Sequence, residues 1–405
     1  MLKLRCYNFF FIFSLLTIFS VQPTGLDAKG IPGEFSGEAI VENRWYPEKG
    51  NYGNGDQTES SLILIPQYSY SWDDDRRVVT IIPFAVISDP DTQKTHLDIR
   101  EASYLSAYEN FELRVGISKV FWGVTETHGL VDVVNQTDVV LLTADDDKLG
   151  QPMFNFTLVT SLGNIDFFVL PYFRERTFAG SHGRFRGPLL IDTDNPLYES
   201  KEKEKHIDFA SRYSSTIGGV DLGISGFKGT DREPFLVINS TGTALQPYYA
   251  QMTQLGLDVQ YTIASWLLKF EGITKSSKLQ ADYSAGTAGF EYTFSNIKNT
   301  GLDIGLLTEY LYESRSEKLA TFYNHTFLGS RIVLNDEKSF EFLYGFIFSN
   351  DDGKLVNWSF ESSRRIDNNW KWQLEASVIV EPKPTDLLAT FKDDDFFQFT
   401  IKYYF

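Results

Sequence analysis

The sequence predicts an all-β chain that forms a transmembrane antiparallel β-barrel of about 18 strands, with both termini in the periplasm. A barrel of roughly 16 strands is the alternative, because one strand pair is easily miscounted. Three features indicate this fold: an alternating aromatic segment at the carboxy terminus, a short apolar segment near the amino terminus, and a series of period-two segments joined alternately by short and long connections.

The carboxy-terminal segment, residues 397–405, places an apolar or aromatic side chain at every second position and ends on Phe405. Period two is the repeat of a β-strand, whose successive side chains point to opposite faces. In outer-membrane barrels the last strand closes the sheet, so we expect residues 397–405 to do so here. We also expect the barrel-assembly machinery to recognise this strand through Phe405.

The amino-terminal segment is typical of a secretory signal peptide. Lys3 and Arg5 precede a largely apolar run at residues 9–21, and small or polar residues follow as far as Ala28. The run is shorter than the roughly 20 residues that span a bilayer as a helix, so we expect cleavage near Ala28; a cytoplasmic-membrane anchor is the alternative. Cys6, the single cysteine, precedes the run, which excludes a lipoprotein acylation site and a mature disulfide.

The predicted organisation is therefore a signal peptide at residues 1–28, a short periplasmic segment at residues 29–36 and a barrel at residues 37–405. The short segment has no room for a plug domain. Energised uptake of the plug-and-barrel kind is accordingly not expected.

Composition agrees with a membrane barrel. The chain has 34 Phe, 21 Tyr and 7 Trp, although only 42% of its residues are hydrophobic, as expected when alternate residues face lipid. The net charge is −17, and loss of Lys3, Arg5 and Asp27 with the signal peptide makes it −18. This acidity argues against a nucleic-acid partner.

Eighteen segments of the chain alternate with period two, and an even strand count places both termini on the same side. Every second connection is short, whereas most of the others are long, as in single-chain barrels with periplasmic turns and outer loops. The segments are residues 37–46, 60–72, 76–89, 95–108, 111–122, 152–162, 165–174, 206–214, 217–230, 247–261, 264–275, 282–295, 301–313, 321–334, 338–349, 354–364, 368–381 and 394–405.

The pleat sends one parity of each segment to lipid and the other to the lumen. In residues 370–380, for example, Trp370 and Trp372 alternate with Lys371. A charge at the lipid midplane costs roughly 2 to 4 kcal/mol, so the mid-strand charges mark the inner face. Pairing of acids and bases across strands is the simpler reading of this charged lumen, and a selectivity ladder is the alternative. The candidate channel-lining residues are Arg114, Lys269, Glu271, Glu309, Glu361, Lys371 and Glu375.

The connection at residues 123–151 is rich in valine and leucine and also acidic. A loop with so many apolar residues should not lie free in water. We therefore expect it to fold into the barrel mouth as a constriction. Packing on the outer rim or on a neighbouring subunit is the alternative. The candidate constriction residues are Asp132, Asp138, Asp145, Asp146 and Asp147.

The connection at residues 175–205 is different, because four arginines lie in or beside it: Arg174, Arg176, Arg184 and Arg186. They are candidates to attract an anionic solute or lipopolysaccharide phosphates. In so acidic a protein, however, we expect them mainly to pair with the acids of their own loop.

Catalysis is not expected. The five histidines are not accompanied by a nucleophile elbow, and the chain has none of the common metal or phosphate motifs, so we predict no enzyme activity, no metal site and no cofactor. A hydrolase would require a histidine within hydrogen-bond reach of a serine or aspartate at the outer rim.

The residues Trp122 and Gly123, followed by the pattern Asp132-x-x-Asn135-x-x-Asp138, resemble a motif of uncharacterised proteobacterial outer-membrane β-barrel proteins of porin-like type. Further similar segments are residues 170–178, 229–234, 289–294, 327–336 and 393–405. The resemblance covers most of the mature chain and implies an outer-membrane location, but no solute and no catalytic residues.

These observations lead to the expectation of a porin-like channel in the bacterial outer membrane that passes a hydrophilic solute through a charged lumen. The alternative is a non-conducting barrel that binds an envelope partner or ligand through its extracellular loops. Expected partners are outer-membrane lipid, lipopolysaccharide and the assembly machinery, and the identity of the solute stays open.

Overall fold

The computed structural model describes residues 32–52, 55–141, 148–320 and 322–405. The predicted signal peptide with its cleavage site near Ala28, and the acidic residues Asp145, Asp146 and Asp147, lie outside the described residues. Within the described part of the chain, no helix is both long and apolar enough to cross a bilayer.

The described chain is almost entirely β-structure, with three short 3-10 segments at Lys203–Lys205, Ile297–Asn299 and Leu387–Phe391. Its 22 strands, numbered in chain order, are β1 (Glu34–Trp45), β2 (Thr58–Trp72), β3 (Arg77–Asp89), β4 (His96–Ala107), β5 (Phe111–Ser118), β6 (Gln151–Thr160), β7 (Gly163–Leu170), β8 (Leu190–Ile191), β9 (Leu197–Tyr198), β10 (Asp208–Ile217), β11 (Val220–Thr230), β12 (Phe235–Ile238), β13 (Ala244–Tyr249), β14 (Gln251–Ile263), β15 (Trp266–Ser277), β16 (Tyr283–Phe294), β17 (Asp303–Glu313), β18 (Asn324–Val333), β19 (Glu341–Ser349), β20 (Leu355–Arg365), β21 (Trp370–Ile379) and β22 (Phe396–Tyr404). Eighteen of them form one sheet, and β8, β9, β12 and β13 form a small separate sheet.

The large sheet closes between its first and last strands. β1 pairs with β22 from Glu38 opposite Tyr404 to Trp45 opposite Phe397, and it pairs with β2 along its other edge. Gly37 and Phe405 then exchange two backbone hydrogen bonds of 3.0 and 3.1 Å. The predicted antiparallel barrel of 18 strands is confirmed, and the alternative of 16 strands is wrong.

The two ends of the barrel differ, as the connection lengths predict. At the turn end the connections are short; Asp73, Asp74 and Asp75, between β2 and β3, have φ of 58°, 55° and 60°, a left-handed conformation that aspartate adopts more readily than most residues. At the loop end, residues 119–150 join β5 to β6 and residues 171–207 join β7 to β10.

Several predicted strand boundaries differ from the observed ones by three or four residues, and at two of them nearby residues have other partners. β5 ends at Ser118 rather than at residue 122, since the Asn135 side chain accepts from the Val120 N–H at 3.0 Å and donates to the Ser118 carbonyl at 3.0 Å. β14 begins at Gln251 rather than at residue 247, because residues 244–249 pair with β12 in the small sheet.

The outer surface of the barrel is that of a membrane protein. Large apolar side chains lie uncovered on it, with Leu97 82%, Ile217 66% and Ile87 65% exposed. Near the turn end, aromatic rings contact each other in pairs, including Trp72 with Tyr104 at a centroid distance of 6.0 Å and Trp370 with Tyr403 at 4.7 Å. An apolar exterior bordered by aromatic residues matches a bilayer and its interface, so the barrel spans a membrane.

Candidate functional site in the barrel lumen

The described residues 119–141 and 148–150, the lumen segment, fold from the end of β5 into the barrel. Its first contact is apolar: Trp122, Val131, Val133 and Val134 pack on inward side chains of β6, β7, β10, β11 and β14. The wall residues of this seat are Met153, Phe168, Leu170, Ala210, Phe227 and Met252. On the far side Leu141 packs on Ile40, Ile63, Phe84 and Val86, which β1 to β3 direct inward. Burial of apolar surface therefore holds the segment inside the barrel.

Glu271 of β15 fixes the middle of the lumen segment. This carboxylate is 0% exposed, and it accepts the backbone N–H groups of Val124 at 2.6 Å, Thr125 at 2.9 Å and Val131 at 3.2 Å. The Thr125 hydroxyl donates to it at 2.8 Å. Gly123 has φ of +112°, and a Cβ there would lie 2.6 Å from the Glu271 Oε1, so the turn that approaches this carboxylate requires glycine.

Glu309 of β17 holds the next two residues. It accepts the N–H groups of Glu126 at 2.8 Å and Thr127 at 3.0 Å and the Thr127 hydroxyl at 2.6 Å. The Glu126 side chain continues to Arg331 of β18 at 2.8 Å. Because β18 lies halfway around the 18-stranded ring from β5, the lumen segment crosses the full width of the barrel.

Asp138 ties the returning part of the segment to the opposite wall. The buried carboxylate accepts from Arg100 at 2.5 Å, lies 3.0 Å from the His96 Nε2 and accepts the Thr177 hydroxyl at 2.8 Å. Asp132 forms an ion pair with Lys148 within the segment. These are two of the predicted constriction residues, and the structure places both inside the barrel.

The other predicted lumen residues lie on the inner parity of their strands. Lys269 is 3.7 Å from Glu126 and thus joins the attachment of the lumen segment. Arg114 lies opposite Asn155, Glu361 opposite Glu375, and Lys371 opposite Arg365 and Lys402. The structure therefore brings Lys269, Glu271 and Glu309 together around the segment, whereas Arg114, Glu361, Lys371 and Glu375 lie elsewhere on the wall.

Residues 171–187, the cap segment, run across the loop end. Arg174 pairs with Asp98 of β4 at 2.8 Å, and Arg184 donates to Asp394, before β22, at 2.6 Å. Between them the Gly180 N–H donates to Asp91, before β4, at 3.0 Å. The expectation that these arginines pair with acids of their own loop is wrong for Arg174 and Arg184, because the cap segment turns inward and meets acids of the wall and of other loops.

A cavity of about 210 Å³ lies beneath the cap segment, between the lumen segment and the wall formed by β14 to β17. Five basic and four acidic side chains line it. The basic residues are Lys148, Arg176, Arg232, Lys275 and Arg315, and the acidic ones are Asp132, Asp231, Glu233 and Glu313.

Most of these charges are neutralised locally. Lys275 pairs with Asp231 at 2.8 Å, and Arg232 pairs with Asp208 at 2.7 Å. Arg315 pairs with Glu313, and its guanidinium lies 4.2 Å from the centre of the Tyr283 ring. Together with Asp132 and Lys148, four ion pairs border the cavity.

Glu233 and Arg176 are different. Among the described residues, neither forms an ion pair within 4.0 Å, and the Arg176 Nε is buried without a hydrogen-bond partner. Glu233 is exposed to the cavity. Dense protein around it would raise its pKa, but the positive charge of Lys275, Arg176, His128 and Arg315 outweighs this effect and lowers the pKa of Glu233 to about 2.

Strand parity predicts only a few of the residues that line this cavity. The odd parity of β15 directs Lys275 inward, as it does Lys269 and Glu271, so that residue was within reach of the parity argument. Glu233 and Arg176 lie in connections, where no periodicity fixes a direction. Only the fold brings them to one place.

Histidine–aspartate pairs occur at the loop end. His182 lies 3.0 Å from Asp56, and His206 lies 2.8 Å from Asp208. A histidine within hydrogen-bond reach of an aspartate is the least that a hydrolase would require. Asp208 also binds Arg232 and the Thr230 N–H, and His182 with Asp56 links the cap segment to the β1–β2 connection, so both pairs have structural roles. The expectation that the protein is not an enzyme stays a prediction.

Two solved structures of mutant proteins are similar to this chain over most of its length. A mutant of the porin of Rh. blastica aligns over 92% of this chain and 100% of its own, with 11% identity and a TM-score of 0.46. A loop-deletion mutant of OmpT, an outer membrane protein of Vibrio cholerae, aligns over 92% and 99%, with 10% identity and a TM-score of 0.45.

No protein-family model matches the chain, and no curated protein sequence matches it. The resemblance of its motifs to a proteobacterial family therefore stays a prediction. The closed sheet of 18 strands, apolar outside and charged inside, makes the chain a transmembrane β-barrel and points to the outer membrane.

Proposed function

We propose that the protein is a passive channel for small hydrophilic solutes, with the lumen segment as its constriction. The observation that carries this proposal is that the lumen segment covers part of the inner wall and leaves a polar stripe beside it. On β6 to β14 the segment covers an apolar patch. The inner parity of β20 and β21 is polar.

The polar stripe on β20 and β21 offers a route for water. Its inner positions on β20 are Asn357, Ser359, Glu361 and Ser363, and they are followed on β21 by Lys371, Gln373, Glu375 and Ser377. Ser359, Glu361, Gln373 and Ser377 are only half-buried, which indicates solvent beside them. A polar stripe next to an inserted loop is suited to passing hydrated solutes.

Single-channel conductance in planar bilayers tests the proposal. We expect discrete current steps from the intact protein. Without the signal peptide the precursor charge of −17 becomes −18, so the reversal potential in a salt gradient should favour cations. Silence from a protein that is folded, as judged by a heat-dependent shift of its gel mobility, would contradict it.

The apolar seat of the lumen segment favours a second candidate, a non-conducting barrel that binds a partner through its loops. The two candidates differ in one result. A plugged barrel would conduct only after the lumen segment is shortened, whereas the proposed channel conducts before and conducts more afterwards.

A further inference from the structure

Among the described residues that line the cavity beneath the cap segment, one basic and one acidic side chain form no ion pair within 4.0 Å. Lys275, Arg232, Arg315 and Lys148 each have a carboxylate partner. Arg176, from the cap segment, and Glu233, from the β11–β12 connection, remain, and both border the same cavity.

Such a pair is suited to a ligand that carries both signs of charge. Charged groups away from bulk water are stabilised by charged hydrogen-bond partners. An anion that approaches Arg176 is repelled by the negative charge of Glu233. A cation that approaches Glu233 is repelled by the positive charge of Arg176. A solute with an anionic group at one end and an ammonium group at the other avoids both repulsions.

The remaining lining suits the body of such a solute. Met252, Ile273 and Tyr283 add apolar and aromatic surface to the lining of the same cavity. The volume of about 210 Å³ accommodates a small molecule but not a folded chain.

We propose that this cavity binds small zwitterionic solutes, whose anionic group contacts Arg176 and whose ammonium group contacts Glu233. As a step in solute passage the site rests on the proposed channel function, whereas binding itself does not require conduction.

Equilibrium binding to the detergent-folded barrel, followed by saturation-transfer NMR, tests the proposal apart from conductance. Three probes of equal chain length are compared: 4-aminobutyrate, butyrate and butylammonium. We expect 4-aminobutyrate to bind about fivefold more tightly than either single ion, the factor that one additional ion pair in a hydrated site contributes.

The variants Arg176→Gln and Glu233→Gln should each abolish this preference, and Glu233→Gln should bind butyrate more tightly than the natural chain does. Glu337→Gln and Lys338→Gln, at the turn end, are matched charge removals that should change nothing. If Arg176→Gln does not fold, the binding data of Glu233→Gln alone test the proposal, because the Glu233 side chain is exposed.

Equal binding of butyrate and 4-aminobutyrate by the natural chain, or no binding of any probe, would overturn the site. Current steps without zwitterion binding would overturn it while leaving the channel intact.

Discussion

At the scale of the residue, buried carboxylates attach the lumen segment to the wall. Glu271 alone accepts four hydrogen bonds from the segment and has no exposure to solvent. Hydrogen bonds to a charged group contribute about 1.5 to 3 kcal/mol each, and their donors are left unsatisfied when the acceptor is removed. Glu271 is therefore one of the main attachments of the segment, beside Glu309, Asp138 and the apolar seat.

We expect Glu271→Ala to lower the free energy of unfolding by about 2 to 4 kcal/mol and to make the channel current noisier. Glu271→Gln retains one acceptor oxygen and should lose less. Urea unfolding in detergent micelles, followed by tryptophan fluorescence, measures the difference. An alanine variant as stable as the natural chain would show that these contacts do not attach the segment.

The charge of Glu233 leads to a pH prediction. Its pKa is lowered to about 2, so the carboxylate should stay ionised at pH 3.5, where an ordinary glutamate with a pKa near 4.3 is mostly protonated. The reversal potentials of the natural chain and of Glu233→Gln should therefore still differ at pH 3.5 and converge only near pH 2. Convergence already at pH 4 would indicate an ordinary glutamate.

At the scale of the element, the strands were predictable because alternation is local. Parity along one strand directs Glu271 and Glu309 inward, and no knowledge of the neighbouring strands is needed. The apolar content of residues 123–151 likewise predicted an inserted segment. Its partners were not predictable, since Glu309 meets Thr127 across 182 positions of the chain. The predicted strand at residues 247–261 begins before β14 because residues 247–249 belong to the small sheet.

The apolar seat gives an element-scale prediction. Val134 is 0% exposed, and a buried amide without partners costs about 1 to 3 kcal/mol, so Val134→Asn should release the lumen segment more often. Longer openings in single-channel recordings and faster proteolysis within residues 119–150 would show this. Val237→Asn in the small outer sheet is the matched control and should behave like the natural chain.

For the whole molecule, channel function depends on where water crosses the barrel. The lumen segment covers an apolar patch of the wall, and we propose that the polar inner face of β20 and β21 leaves a route for water on the other side. This division could not be predicted from strand parity, because parity separates inside from outside but does not distinguish one side of the lumen from another.

Thiol modification during single-channel recording tests this claim most directly. Cys6 lies in the predicted signal peptide, so the mature protein offers a background without thiols. We expect a cationic methanethiosulfonate reagent to lower the conductance of Ser359→Cys stepwise and to leave that of Ala210→Cys, beneath the lumen segment, unchanged. Block at Ala210→Cys with none at Ser359→Cys would contradict the proposed route, and a folded protein that never conducts would contradict the channel itself.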